Sequence, residues 1–199
     1  MNHSKLIAFT LVAIAAAFSA SAADPEAGKT KAATCAACHG VTGSSSNPMW
    51  PSLGGQHESY LVQQLQAFQS GLRSDPMMTP MAMGLSEQDM QDIAAYYAQQ
   101  TPPTLTAEPD LIEAGERLYR GGNAATGVPA CLACHGAEGA GNAAAGWPRI
   151  GGQHAEYLAK QLTAYRNGER KTGVIMTDIA KRLSDEEILA VANYLQGLR

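Results

Sequence analysis

From residue 58 onward, apolar positions recur mostly at helical spacing. Ile93, Tyr96 and Tyr97 repeat three to four residues apart, as do Ile188, Val191 and Leu195. Upstream of each run a capping box opens the helix. Ser86 is followed three residues on by Asp89, and Ser184 by Glu187. The pattern predicts a first helix over 26–37 and its counterpart over 110–120, then middle helices over 58–70 and 155–167. No stretch alternates like a strand between turn signals. Long Gly-, Ser-, Asn- and Pro-rich loops separate the helices. Loops of that length in a compact domain need an explanation, and a flat cofactor wrapped by them would supply one.

The N-terminus follows a different pattern. Lys5 precedes an apolar run over 6–18, then Ser19-Ala20-Ser21-Ala22-Ala23. A positive start, a short apolar stretch and small residues at −3 and −1 describe a secretory signal cleaved after Ala22. The run is shorter than the ~20 residues of a membrane helix.

The rest of the chain repeats itself. Cys35-Ala36-Ala37-Cys38-His39-Gly40 returns as Cys131-Leu132-Ala133-Cys134-His135-Gly136. The segment from Trp50-Pro51 to Tyr60-Leu61 returns from Trp147-Pro148 to Tyr157-Leu158. A repeat this long is one domain duplicated rather than a solenoid. The predicted organisation is a signal over 1–22, one domain over 23–101, a proline-rich linker over 102–109 and a second domain over 110–199.

Composition narrows what can fill two such domains. Leu, Ile, Val and Phe make up about 17% of the chain, below the ~20% at which an ordinary core becomes doubtful. Charged residues are only 16% and the net charge is −4, which excludes strongly charged disorder. With a pI of about 5.7 and no basic stripe, nucleic acid is excluded as a partner.

All four cysteines lie in the two Cys-x-x-Cys-His motifs. Local disulfides, a four-cysteine zinc site and a thioredoxin-like pair are the competing readings. The fifth residue decides among them, because Cys-x-x-Cys-His is the haem-attachment signature: two thioethers to the porphyrin and a histidine for the iron. Two haem c groups are therefore expected, held by Cys35, Cys38, Cys131 and Cys134 with His39 and His135 on the irons. The second half contains one methionine, Met176, seven residues before Leu183. Met78 stands seven before Leu85, which selects it from Met77, Met81 and Met83 as the matching sixth ligand. His57 and His154 are the rival ligands, with a capping or solvent-facing role as the plainer reading. Pro51 and Pro148 are placed to give the haem histidines a carbonyl. Trp50 and Trp147 either cover the porphyrin edge or join the core.

On these motifs, together with the Pro-x-Leu/Ile-x-Gly-Gln-x-x-x-Tyr segments, the chain resembles the dihaem cytochrome c4 family. The resemblance implies an all-α protein of two tandem class I cytochrome c domains. They are related by a pseudo-two-fold axis and each wraps one covalent haem c. It further implies His39/Met78 and His135/Met176 ligation, glycine-on-aromatic helix crossings (Gly28 on Tyr96, Gly115 on Tyr194), and a periplasmic, monomeric carrier. In that family the carrier is sometimes loosely membrane-associated. It takes electrons from a quinol-oxidising complex or other donor and passes them towards a terminal oxidase. The alternative class is a haem enzyme or enzyme subunit: a dihaem peroxidase, or the electron acceptor of a sulfur-compound or alcohol dehydrogenase. Faces near Trp50 and Trp147 are expected to meet between the domains. A basic cluster of Arg166, Arg170, Lys171, Lys181 and Arg182 is expected to form a docking rim beside Met176.

Overall fold

The computed structural model describes residues 22–199. The apolar run and all but the last residue of the predicted signal lie outside them. Ten helices follow in two sets of five: α1 (Pro25–Lys31), α2 (Ala36–His39), α3 (Glu58–Ser70), α4 (Met78–Met83) and α5 (Glu87–Ala98), then α6 (Pro109–Gly121), α7 (Leu132–His135), α8 (Ala155–Arg166), α9 (Val174–Ala180) and α10 (Asp185–Gly197). Among the described residues there are no strands, only the isolated bridges Asn123–Val128 and Asn142–Trp147.

In each half the first and last helices cross, α1 on α5 and α6 on α10, while the middle helix packs against the last. The crossing is close because a glycine stands at the contact. A Cβ on Gly28 would lie 1.9 Å from the Asp92 carbonyl oxygen, and one on Gly115 would lie 2.2 Å from that of Ala190 and 2.5 Å from Tyr194 Cβ. Gly115 thus meets Tyr194 as expected. Gly28 lies against the Asp92–Ile93 backbone, one turn before Tyr96 on the same helix. Both capping boxes form, with Ser86 and Ser184 accepting from the amides of Asp89 and Glu187.

The structure departs from the predicted helices in two places. The span 26–37 is not one helix. The alanine-rich segment turns after Lys31, and the single turn α2 then carries the second cysteine and the histidine. Alanine propensity favours continuation, and tertiary geometry overrides it. The methionine segments, expected as loops, contain the short helices α4 and α9. In α4 Pro80 is the third residue, within the first turn where no intrahelical N–H is needed. Residues 101–108 have no regular structure. Pro109, grouped with the linker by sequence, is the first residue of α6, where proline is well suited.

The halves meet through reciprocal contacts. The Gln153 amide accepts from Ser52 N at 2.9 Å and donates to Ser52 O at 2.8 Å. Gln56 does the same to Arg149, at 2.9 Å both ways. These anchor points directly follow Trp50-Pro51 and Trp147-Pro148, so the expected faces do meet. Beyond them, two arginines cross the boundary. Arg73, 9% exposed, donates to Gln64, Tyr157 and Gln161; Arg170, 4% exposed, donates to Gln161, Tyr60, Gln64 and Thr172. Arg170 therefore cannot belong to a docking rim. Burial opposes its charge, but Tyr60 and Tyr157 outweigh that and hold its pKa above the usual value. Arg166 is engaged with Asp185 at 2.6 Å. Lys171, Lys181 and Arg182 remain exposed.

Candidate functional site

Each motif occupies one helical turn. Cys35 and Cys131 are the N-caps of α2 and α7, and the amides of His39 and His135 return to their carbonyls at 2.9 and 3.0 Å. That turn sets two sulfurs and an imidazole on successive positions of a rigid unit. None of the four cysteines is paired in a disulfide, and all are half-buried. Burial pushes the Cys35 thiol up and the Cys131 thiol to about 11. Neither is the low-pKa thiolate that a redox-exchange pair needs.

The imidazoles are buried and oriented. His39 Nδ1–H donates to the Pro51 carbonyl at 2.8 Å, and His135 Nδ1–H to that of Pro148 at 3.1 Å. A carbonyl only accepts, so the proton is on Nδ1 and the Nε2 lone pair is left for a metal. Burial lowers both pKa values, opposed by those same carbonyl bonds, and for His39 the Arg73 charge lowers it further. The ring is thus neutral and ready to ligate. Trp50 and Trp147, immediately before the prolines, are half-buried.

The methionines differ in exposure. In 77–83, Met77, Met81 and Met83 are 61%, 46% and 61% exposed, whereas Met78 is half-buried. Asp75 holds the start of that segment, its carboxylate accepting from Met77 N and Met78 N at 3.0 and 3.2 Å. Met176, on α9, is also half-buried and stands by Gly173.

His57 and His154 have a role that sequence reasoning missed. Both stand at the N-cap positions of α3 and α8, but neither side chain makes a capping hydrogen bond. His57 Nε2–H donates to Ala140 O at 3.0 Å and His154 Nε2–H to Ser45 O at 2.9 Å, each in the opposite half. Their faithful repetition beside Gly-Gly-Gln was the signal: an isologous interface repeats its contacts in both partners.

The fit to a covalent porphyrin rests on the donor set and on the packing. Two thiols and a lone-pair nitrogen share one turn in each half. The continuous core cluster of the first half is small: Ala32, Leu61, Ile93, Ala94, Tyr96 and Tyr97. The Tyr97 hydroxyl is buried without a hydrogen-bond partner among the described residues, and the Cys35 thiol is one of the groups that push its pKa up after burial itself. A large group completing this region matches both facts.

Two helical halves, each with this cysteine pair and oriented histidine, define a tandem c-type cytochrome. The family model "Cytochrome c" matches residues 25–101 and again 112–199. Cytochrome c4 of Azotobacter vinelandii is 46% identical over 189 residues, covering 89% of this chain and 90% of the relative. That of Thiocapsa roseopersicina is 50% identical over 179 residues, covering 88% and 93%. The crystal structure of reduced recombinant cytochrome c4 from Pseudomonas stutzeri superposes with a TM-score of 0.87 at 46% identity, over 89% of this chain and all of that one. A thiosulfate dehydrogenase (TsdBA) from Marichromatium purpuratum matches at TM-score 0.80 and 33% identity, over 87% of this chain and 40% of that one.

The chain belongs to the cytochrome c4 family. It is an electron carrier rather than an enzyme, works between redox partners, and fits two covalently bound haem c groups.

Proposed function

We propose that this protein is a monomeric periplasmic shuttle in a respiratory chain, exported by a signal cleaved after Ala22. It carries electrons from a quinol-oxidising complex towards a terminal oxidase through His39/Met78 and His135/Met176 centres. The observation that carries the ligand reading is the match between the halves. In both, an imidazole with its Nδ1 proton tied to a proline carbonyl leaves Nε2 free, and a half-buried methionine stands on the short helix before the last one. Of the four methionines in 77–83, only Met78 is withdrawn from solvent. The rival histidines are engaged across the interface through Nε2, which leaves them poorly placed to ligate.

The haems supply one-electron exchange between ferric and ferrous iron. The chain holds the ligand rings still, keeps water from the histidines and fixes one half against the other. The Pro51 and Pro148 carbonyls prevent ring rotation and strengthen the imidazoles as donors. Among the described residues no helix is long and apolar enough to cross a membrane.

Optical spectra of the oxidised holoprotein test this. The weak far-red absorption of iron–methionine bonds should come from both halves, and Met176→Ala should remove about half of it and lower one midpoint potential. Loss on Met81→Ala with retention on Met78→Ala would refute the first ligand assignment.

A second reading has its own support. A thiosulfate dehydrogenase electron acceptor of Stutzerimonas stutzeri is 38% identical over 173 residues, covering 84% of this chain. In that reading the donor is a thiosulfate dehydrogenase. Comparing reduction of the holoprotein by that enzyme with thiosulfate against reduction by a quinol-oxidising complex separates the two.

A further inference from the structure

The helix α4 is a short platform fixed at both ends. At its start the Asp75 carbonyl accepts from Thr79 N at 2.9 Å, so the chain is already helical through Met77. At its end the Gln69 amide donates to Ala82 O and Leu85 O at 2.8 and 2.9 Å. Met77 and Met81 therefore stand one turn apart on one face, with Cβ atoms about 5–6 Å from each other. Two flexible thioethers at that separation can converge on one atom. Both are exposed, as is Met83 just beyond. Methionine normally fills gaps in a core, and these three fill none. Nor does the fold demand them, because the equivalent positions of the second half are Ile175, Ile179 and Lys181.

The geometry points to a soft-metal site on this face: Met77 and Met81 together bind Cu(I). Thioether sulfur selects Cu(I) over harder divalent ions. The competing soft ligands are removed by the fold and the haems. The four cysteines are committed to thioethers, and His57 and His154 are engaged at the interface. Binding forms copper–sulfur bonds without electron transfer.

The test uses reduced holoprotein, so that the iron cannot oxidise the metal, under anaerobic conditions. Cu(I) is titrated in competition with a chromogenic chelator, and methionine methyl resonances are followed by NMR. One equivalent should be retained, with the Met77 and Met81 methyl signals shifting. Met77→Leu/Met81→Leu, which conserves volume, should weaken retention at least tenfold. Met49→Leu, at an exposed methionine elsewhere, should leave it unchanged. Met83→Leu, on the other side of the same helix, should leave retention unchanged, and a loss there equal to that of the double variant overturns the two-donor geometry.

Retention equal in the double variant and the parent, or no retention by the parent, overturns the proposal. So does movement of the strongly upfield methyl signal of an iron-bound methionine, which would mean that copper takes Met78 instead. Absence of that upfield signal before any copper is added would count against the His/Met reading alone.

Discussion

Where α1 crosses α5, a carboxylate ties down the start of the helix; where α6 crosses α10, an amide does. Asp92 accepts from Asp24 N at 2.8 Å, from Lys31 Nζ at 2.7 Å and from Gln88 at 2.8 Å, with Asp89 also on Lys31. In the second half Asn193 accepts from Glu108 N at 2.8 Å and returns a bond to Glu108 O at 2.9 Å. The close backbone approach at Gly28 and Gly115 is common to both. Duplication has therefore preserved what sterics dictate and let the polar fastening drift between charged and neutral forms. The cores have drifted as well. The second cluster adds Leu118, Val128, Leu158, Leu183, Ile188, Val191 and Leu195 to its tyrosines, and the first has far fewer large side chains.

That contrast in cores predicts the largest effect. Each buried Leu, Ile or Val contributes roughly 1.5–3 kcal/mol, so the second half retains several such contributions if its porphyrin is lost. Cys35→Ala/Cys38→Ala should leave the first half unfolded at 25 °C, with the helicity of α1, α3 and α5 gone. Cys131→Ala/Cys134→Ala should leave part of α6, α8 and α10 intact. Circular dichroism with haem counting by mass decides it, and equal losses would show that the larger cluster adds no independent stability.

At the interface the halves should instead behave alike. Gln56→Ala and Gln153→Ala each delete two bonds to the backbone of the opposite half and one to the next residue's amide, and should cost about 1–3 kcal/mol, equal within about 0.5 kcal/mol. Denaturant unfolding measures both, and a clear inequality would show that the pseudo-two-fold is not energetic. Arg73→Met and Arg170→Met share Gln64 and Gln161 as partners, so together they should depart from additivity by about 0.5–3 kcal/mol.

The repeat, the capping boxes and the attachment motifs could be read in the sequence because each is local or is matched against its own copy. The break in 26–37 could not. Lys31 to Ala37 holds four alanines and a lysine, so local propensity, weakened only at Thr34 and Cys35, gives no clear sign that the chain turns there. The interface was half legible. Repetition flagged Gln56, His57, Gln153 and His154, but one strand of sequence does not say that a side chain reaches backbone 101 residues away, as Gln153 does at Ser52. Arg170 misled for the same reason. A buried guanidinium whose partners are amides and hydroxyls has no charge pattern to betray it.

The smallest expected effect concerns pH, and it returns to the two crossings. Lys31 and then the Ser86 cap hold Asp89 far below the usual carboxylate range, and the Asp24 amide followed by Lys31 lowers Asp92. A carboxylate depressed in the folded state stabilises fully above its unfolded pKa, about 3.9. That contribution is lost as pH falls through the folded value. Lys31 is raised by the same partners, Asp89 first. Its contribution is complete below the unfolded lysine value of about 10.4 and fades as pH rises through the folded one. Amide protection in α1 and α5 should therefore hold a plateau between those limits and decline on both sides. The Asn193 fastening does not titrate, so the α6–α10 crossing should lack both limbs from this source. Asp92→Asn should lower protection in α1 on the plateau and flatten its acid limb, without touching α6. Hydrogen exchange resolved by residue measures all of this. An acid limb of equal depth in α6 would mean that the titrating groups lie elsewhere, and that the chemical difference between the crossings has no thermodynamic consequence.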